Sequence, residues 1–575
     1  MLPVVHINSR NAFWIVALIV IATLLPFLGE TMFNSKGEPR EAIVAVSMLN
    51  SGDWILPVSN GDVIPYKPPF MAWCIALFSL LAGHVTEYTS RLPSALALIV
   101  LVLWSYRFFA RNYSWSRAFL CSVVTLTAFE VYRAGFACRV DMLLTMFIVG
   151  ALYSLYGYWR NDFRRFPWLA VLMMSGAMLT KGPVGVLLPC AVAGVFMLLQ
   201  GVNFGKAFIK LLLPALAALV LPAVWYVAAY RQGGDEFLRL ALEENFGRFT
   251  GTMSYDSHVK PVWYNFITVI TGYVPYTLLI LLSLIPWGRI NALDGLRRSR
   301  VSRLWSDFKA MEPARKFALV CIVVIFVFYC IPKSKRSVYL LPIYPFIALF
   351  IADYITYLAQ RGHRALKIYA GVMASIALVA SLVFLVIQCG CFPYGVLKGR
   401  HALDNAMMIT GLEQHASLAK WLLVELSAIA GIVVLWRLRR QSAISSALMA
   451  MGVTVSIYWA FAGVYQPAIL NAKSDKPVAE VINRLQPEGD VYAHVSTDML
   501  RFFTANYYTG DRIKPFESAE PSSGYLLIGV EDARTFLPEH ADDYDFYMVR
   551  HFRKRSCDTR QPMLLLKFRE KIIYR

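Results

Sequence analysis

The sequence predicts an α-helical polytopic membrane protein with a C-terminal α/β soluble domain. Of its 575 residues, 57% are hydrophobic and only 16% are charged, and the mean hydropathy is +0.51. A soluble domain has about a quarter of its residues charged. Apolar runs that can cross a hydrocarbon core of roughly 30 Å recur as far as residue 466, where a mixed polar sequence begins.

About 13 membrane spans are predicted, together with helices that lie at the outer interface. Phe70 to Leu81 is expected to be such an interfacial helix, because a full crossing there would place the arginines of residues 107–117 outside. The odd count puts the N-terminus inside and the C-terminus outside. The predicted spans cover approximately residues 13–28, 92–108, 117–132, 138–158, 166–180, 183–200, 207–229, 264–287, 315–331, 338–357, 366–389, 418–436 and 443–466.

The formal net charge of +19 is explained by this topology. Cytoplasmic loops of membrane proteins are enriched in Lys and Arg. The dense basic clusters are therefore placed inside the cell, and nucleic acid is not an expected partner. These clusters are Arg107/Arg111/Arg117, Arg160/Arg164/Arg165, residues 289–316, Arg361/Arg364/Lys367 and Arg437/Arg439/Arg440.

Two parts follow from this organisation. Residues 1–466 are predicted to form the transmembrane domain, with outer loops at 30–91 and 231–262. Residues 467–575 are predicted to form an outer α/β domain. Its expected elements are a helix at 478–485 and strands at 490–495, 524–529 and 563–568.

The outer loops combine cations and carboxylates at the depth of the membrane surface. Ionisable residues at helix mouths indicate function by default, and clustered Arg and Lys suit a lipid phosphate. Asp141 begins an otherwise apolar span, where it either serves the reaction or pairs with Arg139. Asp53 lies in a turn, where Asp often bonds the local backbone. The outer cations are Arg40, Lys67, Arg139, Lys181, Arg248, Lys333, Lys335 and Arg336, and the other notable carboxylates are Glu38 and Glu244.

A set of short motifs resembles, in order, the GT-C superfamily of polyprenyl-phosphate-dependent glycosyltransferases. The similarity is greatest to the aminoarabinose transferases of lipid A, within the wider protein O-mannosyltransferase-like group. One departure is that many relatives have Asp-Glu where this chain has Gly37-Glu38. The motifs are Glu38-Pro39-Arg40, Ser51-Gly52-Asp53-Trp54, Tyr66-Lys67-Pro68-Pro69, Val140-Asp141, Leu179-Thr180-Lys181-Gly182, Glu244-Asn245 with Arg248-Phe249, His258 with Pro261-Val262-Trp263-Tyr264, and Lys333-Ser334-Lys335 with Tyr339.

The resemblance implies a membrane enzyme of the Gram-negative inner membrane with its site and C-terminal domain in the periplasm. The implied donor is undecaprenyl phosphate carrying 4-amino-4-deoxy-L-arabinose. The implied acceptor is a lipid A phosphate, and the expected result is resistance to polymyxin. No nucleotide is required, and a divalent metal at Glu38 or Asp141 is an open possibility. The oligomeric state is open as well.

Each candidate residue receives a role from this chemistry. Cations should dominate, because the acceptor is already an anion and charge develops on the departing lipid phosphate. Glu38 and Asp141 are expected to position the sugar amine or balance positive charge on the sugar, with general-base work as a second possibility. The lipid-phosphate group comprises Arg40, Lys67, Arg248, Lys333, Lys335 and Arg336, and the sugar or substrate group comprises Asp53, Tyr66, Glu244, Tyr339 and Tyr344.

Three other functions compete with this one. A protein O-mannosyltransferase would act on Ser or Thr hydroxyls and would need a real base, so the halved acidic pair counts against it. A transferase that moves another sugar to another envelope glycan fits nearly as well. A lipid flippase should show inverted repeats, and the sequence shows no such repeat.

Overall fold

The computed structural model describes residues 9–65, 67–247, 258–285, 301–399, 402–497 and 500–571. A long helical part is followed by a small mixed sheet. The helices of the first part are α1 Ser9–Leu24, α2 Pro39–Ser51, α3 Phe70–Ala82, α4 Glu87–Asn112, α5 Trp115–Thr127, α6 Phe129–Gly135, α7 Val140–Arg160, α8 Trp168–Lys181, α9 Val184–Leu199, α10 Phe204–Leu242, α11 Trp263–Gly272, α12 Tyr276–Leu284, α13 Val301–Ala310, α14 Pro313–Cys330, α15 Tyr344–Gln360, α16 Ala365–Gln388, α17 Ala402–Glu413, α18 Leu418–Arg437, α19 Ala443–Ala460 and α20 Gln466–Asn471.

The predicted fold class is confirmed. In the described residues, nine helices are long and apolar enough to cross a membrane, and up to 11 spans result if each of two bent helix pairs counts as one. The bent pairs, α5 with α6 and α11 with α12, coincide with the predicted spans 117–132 and 264–287. The apolar helices α8 and α9, of 14 and 16 residues, coincide with two further predicted spans.

The helix α3 forms where an interfacial helix is expected. Its 13 residues make it about 20 Å long, which is too short to cross a hydrocarbon core of roughly 30 Å.

The segment predicted as an outer loop at residues 231–262 is helical in its first half. The helix α10 continues to Leu242 and is followed by a π-helical turn, Glu243–Gly247. Gly234 interrupts α10 with φ 57° and ψ −148°, a conformation open mainly to glycine. The polar residues after 230 therefore continue the helix that the sequence predicted to end at residue 229.

Small residues allow α4, α7 and α8 to pack closely side by side. A Cβ atom at Gly150 on α7 would lie 2.6 Å from the Trp104 ring of α4, and one at Gly176 on α8 would lie 2.6 Å from the Phe147 ring of α7. Close approach at small residues is the usual means of helix packing in membranes. The helices α4 and α7 run from the face that carries the first outer loop (residues 30–91), here called the site face, to the opposite or far face, and α8 runs back from the far face to the site face.

The C-terminal part contains a five-stranded sheet of order β2-β1-β3-β5-β4. The strand β1 pairs in parallel with β2 and β3, and β5 pairs antiparallel with β3 and β4. The three expected strands and the expected helix are present. The strand β2 and the 12-residue strand β4 were not predicted. The elements are α21 Lys476–Leu485, β1 Val491–His494, α22 Phe503–Tyr508, β2 Ile513–Pro515, α23 Phe516–Ala519, β3 Ser523–Gly529, α24 Val530–Glu539, β4 Tyr544–Arg555 and β5 Pro562–Glu570.

The C-terminal part is hydrogen-bonded to the first loop and to α2. Asp511 accepts hydrogen bonds from the Ser47 hydroxyl at 2.6 Å and from the Asn60 backbone N–H at 2.8 Å. The Tyr508 hydroxyl donates to Glu87 at 2.7 Å and accepts from the Phe33 N–H at 2.9 Å. The sheet domain therefore lies on the site face.

A buried acidic pair lies inside this domain. Asp475 accepts a hydrogen bond from Ser556 at 2.7 Å, and Asp558 accepts one from the Thr504 N–H at 2.7 Å. Burial raises the pKa of the Asp558 carboxyl to about 7, and the Asp475 carboxylate adds to the rise. Folding therefore favours the protonated form of Asp558.

The stability of this domain should fall as pH rises. A folded-state pKa near 7, against about 3.9 in the unfolded chain, gives stability that is complete below about pH 4 and is lost as pH rises through 7. We expect faster hydrogen exchange of the β5 amides at pH 8 than at pH 5, after correction for intrinsic rates. Asp558→Asn should remove most of this difference. The exposed Asp542→Asn should keep it, and equal pH dependence in both variants would contradict the assignment.

Candidate active site

A buried ion pair fixes the start of the first loop. The Arg91 guanidinium of α4 holds both carboxylate oxygens of Glu38, with Nε–Oε1 at 2.8 Å and Nη2–Oε2 at 3.1 Å. Its remaining nitrogen donates to the carbonyls of Leu28 and Thr31 at 2.8 and 2.5 Å. The Arg91 side chain is only 4% exposed.

The Glu38 carboxylate accepts hydrogen bonds from two residues. The backbone N–H of Cys138 donates to its Oε1 at 2.9 Å, in addition to the two bonds from Arg91. Burial alone would raise the pKa of Glu38, but the Arg91 charge and these hydrogen bonds hold that pKa below its ordinary value. Glu38 is therefore an ionised carboxylate that holds the loop in position through its buried ion pair.

The next acidic residue faces a cavity. The loop places Pro39 at the start of α2, so that Glu41 lies one turn into the helix and forms an ion pair with Lys67. Both groups, together with Arg40, line a cavity of about 60 Å³. A further carboxylate, Glu41, thus lies beside Lys67, in addition to Glu38 and Asp141, which the sequence predicted as the acidic residues of the site.

The charges of this pair depend on each other. Burial would raise the pKa of Glu41, but Lys67 and Arg40 hold that pKa below its ordinary value. Burial and Arg40 lower the pKa of Lys67, while Glu41 acts against this change. Glu41 thus keeps the Lys67 ammonium charged in a partly dry site.

A second ion pair joins α7 and α8. The Lys181 ammonium at the end of α8 lies 2.5 Å from Asp141, which is in the first turn of α7. The same ammonium lies 4.3 Å from the centre of the Tyr339 ring. The partner of Asp141 is thus Lys181, not Arg139 as one sequence interpretation had it. Instead, the Arg139 guanidinium occupies the space beside Gly37, where a Cβ atom would lie 1.6 Å from it.

Lys181 of the second ion pair lines a second cavity of about 100 Å³. Lys67 lines both cavities and so lies between them. Asn245 and Glu244, from the π-helical turn after α10, line the second cavity as well. The hydroxyl of Ser334, 7% exposed, lines it without a hydrogen-bond partner in the described part of the chain. A buried hydroxyl without a partner points to a polar ligand in this cavity.

The other candidates lie at varying distances from these cavities. Asp53 caps its own turn, accepting from Ile55 N–H at 2.9 Å and Leu56 N–H at 3.1 Å. Lys335 is buried, and its ammonium donates to the Pro332 carbonyl at 2.5 Å. Tyr344 is buried and stacked on Tyr273. Outside the cavity linings but near them are the exposed Lys333 and the half-buried Arg336, whereas Tyr66 and Arg248 are outside the described residues.

Two site residues were missed from the sequence, although each carried a signal. The predicted span began at residue 92, but α4 begins at Glu87, so Arg91 is an arginine inside an apolar helix. Such a residue is a functional candidate. Glu41 follows Glu38 by three residues, the spacing of neighbours on one helix face. The helix boundary and the helix periodicity would have identified both.

The carboxylates proposed for a divalent metal do not fit one. Glu38 is neutralised by Arg91 and Asp141 by Lys181. In the described ranges, the one group with metal-ligand spacing is Asp475, Cys557 and Asp558 in the C-terminal domain. Burial raises the pKa of the Cys557 thiol, which opposes the deprotonation that a metal ligand requires.

Comparisons with known proteins agree with the predicted resemblance. Residues 66–226 match the family described as dolichyl-phosphate-mannose-protein mannosyltransferase. An uncharacterized protein of Aquifex aeolicus is 28% identical over 59% of this chain and 63% of its own length. The undecaprenyl phosphate-alpha-4-amino-4-deoxy-L-arabinose arabinosyl transferase 2 of Proteus mirabilis is 26% identical over 65% of each chain. The chain thus spans slightly less than two thirds of each of these relatives.

A solved structure covers nearly the whole chain. The crystal structure of ArnT from Cupriavidus metallidurans bound to undecaprenyl phosphate has a TM-score of 0.69 at 21% identity, over 96% of this chain and 97% of that one. This similarity establishes the GT-C fold. The resemblance to polyprenyl-phosphate-dependent glycosyltransferases inferred from the motifs is confirmed.

Glu38→Gln and Glu41→Gln should have different effects. Loss of the Glu38 charge leaves Arg91 buried without its partner, so we expect a loss of about 3–5 kcal/mol in stability, measured by thermal unfolding in detergent. Glu41→Gln should keep the fold, because Glu41 faces a cavity. It should move the alkaline limb of the pH–rate profile to lower pH, since Lys67 loses the charge that raises its pKa. Equal instability of the two variants would contradict this division.

Gly182→Ala should block the second cavity. A Cβ atom there would lie 2.1 Å from Asn245 Oδ1, and Gly182 has φ +84° and ψ −154°. Alanine is strained in this backbone conformation. Its Cβ atom would also clash with the Asn245 amide oxygen, so the Asn245 side chain has to move. We expect at least about a tenfold loss of activity, the size typical of misplaced site groups. Gly201→Ala, also at positive φ but with nothing within 4 Å of the added Cβ, controls for backbone strain. A fully active Gly182→Ala would show that Asn245 has no role.

Proposed function

We propose that this protein, which has the GT-C glycosyltransferase fold, transfers 4-amino-4-deoxy-L-arabinose from undecaprenyl phosphate to a phosphate group of lipid A. The observation that carries the proposal is the pair of adjoining cavities joined at Lys67, with Arg40 on one side and Lys181 on the other. Cations at this depth fit the phosphate of a lipid-linked donor. The Proteus relative is named as an undecaprenyl phosphate-alpha-4-amino-4-deoxy-L-arabinose arabinosyl transferase, and the Cupriavidus structure is bound to undecaprenyl phosphate.

The main requirement of this reaction is stabilisation of the leaving group. The bond between the sugar C1 and the donor phosphate oxygen breaks, and the electron pair leaves with undecaprenyl phosphate. An acceptor phosphate oxygen forms the new bond to C1. Because this oxygen is already anionic, no base has to remove a proton first. The step is therefore favoured most by fixed cations that stabilise the departing phosphate.

The two ion pairs give these roles to particular residues. Lys67 lies between the cavities and binds the departing phosphate, with Arg40 beside it. Asp141, held by Lys181, faces positive charge on the sugar, either at C1 or at the amine. The hydroxyl of Ser334 and the carboxylate of Glu244 line the second cavity and are placed to bind sugar hydroxyls.

The arrangement of charge favours a periplasmic site. Several membrane helices end at the far face with an arginine, as α4 does at Arg111, α7 at Arg160 and α18 at Arg437. Positive residues are enriched on the cytoplasmic side of membrane proteins. The far face is thus assigned to the cytoplasm and the site face to the periplasm. Transfer of an amino sugar there would lower the negative charge of lipid A and weaken binding of polymyxin.

A protein hydroxyl is the second acceptor to consider. The sequence interpretation disfavoured it because the acidic pair in the first loop was incomplete. Glu41 supplies a carboxylate beside Lys67, so the site does contain a group that can accept a proton. The matching family is also described by transfer to protein. The acceptor is therefore the first property to measure.

Mass spectrometry of lipid A tests the proposal. A polymyxin-sensitive strain that lacks its own transferase but makes the donor should gain one pentosamine mass increment on expressing this chain. Lys67→Met should reduce the increment by at least about 100-fold, the cost typical of losing a charge-stabilising group. Lys36→Met, an exposed lysine of the same loop, should keep it. Unmodified lipid A despite membrane expression would reject this acceptor, and modified proteins would then support the alternative.

A further inference from the structure

A large cationic cavity lies at the far face, away from the candidate active site. It has a volume of about 710 Å³ and is enclosed by the ends of α4 and α7 and the start of α8. Asp141 and Arg160 lie at opposite ends of α7, which is about 30 Å long. The cavity therefore takes no part in the chemistry proposed above. Its charged lining is Arg107, Arg111, Arg160 and Arg165.

This cavity concentrates positive charge. None of its lining residues is an Asp or Glu. The contacts of its arginines in the described residues are with neutral groups: Arg160 donates to the Asn112 side chain at 2.7 Å, and Arg107 lies 4.8 Å from the Phe13 ring centre. A cluster of like charges without carboxylates attracts an anion from outside the chain.

Other arginines at the far face are paired, which sets these four apart. Arg117 and Arg315 both bind the carboxylate of Asp353, at 2.9 and 2.7 Å. The fold thus supplies an acidic partner for neighbouring cations of α5 and α14. In the described ranges, no ion pair joins any of the four cavity arginines to a carboxylate. All four are exposed, so within the described ranges they are accessible to an anion from outside the chain.

The rim of the cavity has the features of a membrane interface. Trp168 is 65% exposed and packs edge to face on Phe166, with ring centres 4.7 Å apart. Exposed Trp rings are typical of the level of lipid headgroups. Leu169 and Leu172 follow on α8 and are also exposed, so an apolar surface for acyl chains continues directly from the cationic cavity.

The floor of the cavity is open at a glycine. Gly157 of α7 lines the cavity, and a Cβ atom added there would meet nothing within 4 Å. Packing against neighbouring helices therefore does not explain the small residue. Its backbone instead leaves room for a group inside the cavity.

We propose that this cavity binds the phosphate-bearing headgroup of an anionic phospholipid from the far-face leaflet. Guanidinium groups form paired hydrogen bonds to phosphate oxygens, and basic pockets between membrane helices are suited to such headgroups. Four arginines match a headgroup with two phosphates, so cardiolipin is the chosen probe. The acyl chains would lie along the exposed leucines of α8. The inference does not depend on the sugar or on the acceptor.

Native mass spectrometry of the delipidated full-length protein in neutral detergent tests this site. Cardiolipin should bind more tightly than phosphatidylethanolamine. The double variant Arg111→Gln/Arg165→Gln should weaken cardiolipin binding by at least about tenfold, since each surface Arg contributes about 1 kcal/mol toward anionic lipid. Arg437→Gln/Arg439→Gln removes the same charge from exposed positions at the end of α18 and should leave binding within about twofold.

A second variant separates the cavity from the overall charge of the face. Gly157→Leu keeps all four arginines but places a side chain in the cavity, so it should also weaken cardiolipin binding. Unchanged binding in both the Gly157 and the Arg111/Arg165 variants would overturn the proposal. An equal loss in the Arg437/Arg439 control would do the same, because it would show a diffuse charge effect. Displacement of cardiolipin by inorganic pyrophosphate at equal concentration would also reject a lipid site, in favour of a soluble phosphate.

Discussion

The buried ion pair between Arg91 and Glu38 determines where the candidate site lies. Removing two charges from water is costly, and the cost is offset only when every polar atom finds a partner. Here the guanidinium binds both carboxylate oxygens and two loop carbonyls, and the carboxylate also accepts from the N–H of Cys138. One arginine thereby ties the end of α1, the start of α2 and the turn before α7 to α4. This junction holds the start of α2, in whose first turn Glu41 faces Lys67.

The site uses the same residue types for two different purposes. The Arg91 and Glu38 charges are saturated by their partners, and this pair holds the first loop in position. At Glu41 with Lys67, and at Asp141 with Lys181, each pair borders a cavity and the lysine side chains are 21% exposed. An ammonium in such a pair can exchange a carboxylate for a substrate phosphate, at a modest cost in solvation. This contrast distinguishes structural charges from reactive ones better than sequence position does.

Hydropathy predicted the membrane class and most of the spans, because those properties depend on local composition. Hydropathy did not predict the features that depend on long-range packing between helices. The bends after α5 and α11 and the extension of α10 beyond residue 230 are invisible in apolar counts. The partners of Glu38 and Asp141 are 53 and 40 residues away, so helix packing chooses them. Motif order indicated the correct loops, whereas the pairing of charges within them required coordinates.

The bonds between the first loop and the C-terminal domain have a consequence for biosynthesis. Asp511 and Tyr508, which hold Ser47, Asn60 and Phe33, are translated more than 400 residues later than the loop. At ribosomal rates of about 5–20 residues per second, the loop waits on the order of tens of seconds for the partners that complete it. A nascent chain thus carries this loop at the membrane surface long before the loop can form its contacts with the C-terminal domain. A chain interrupted before residue 508 lacks all of these contacts.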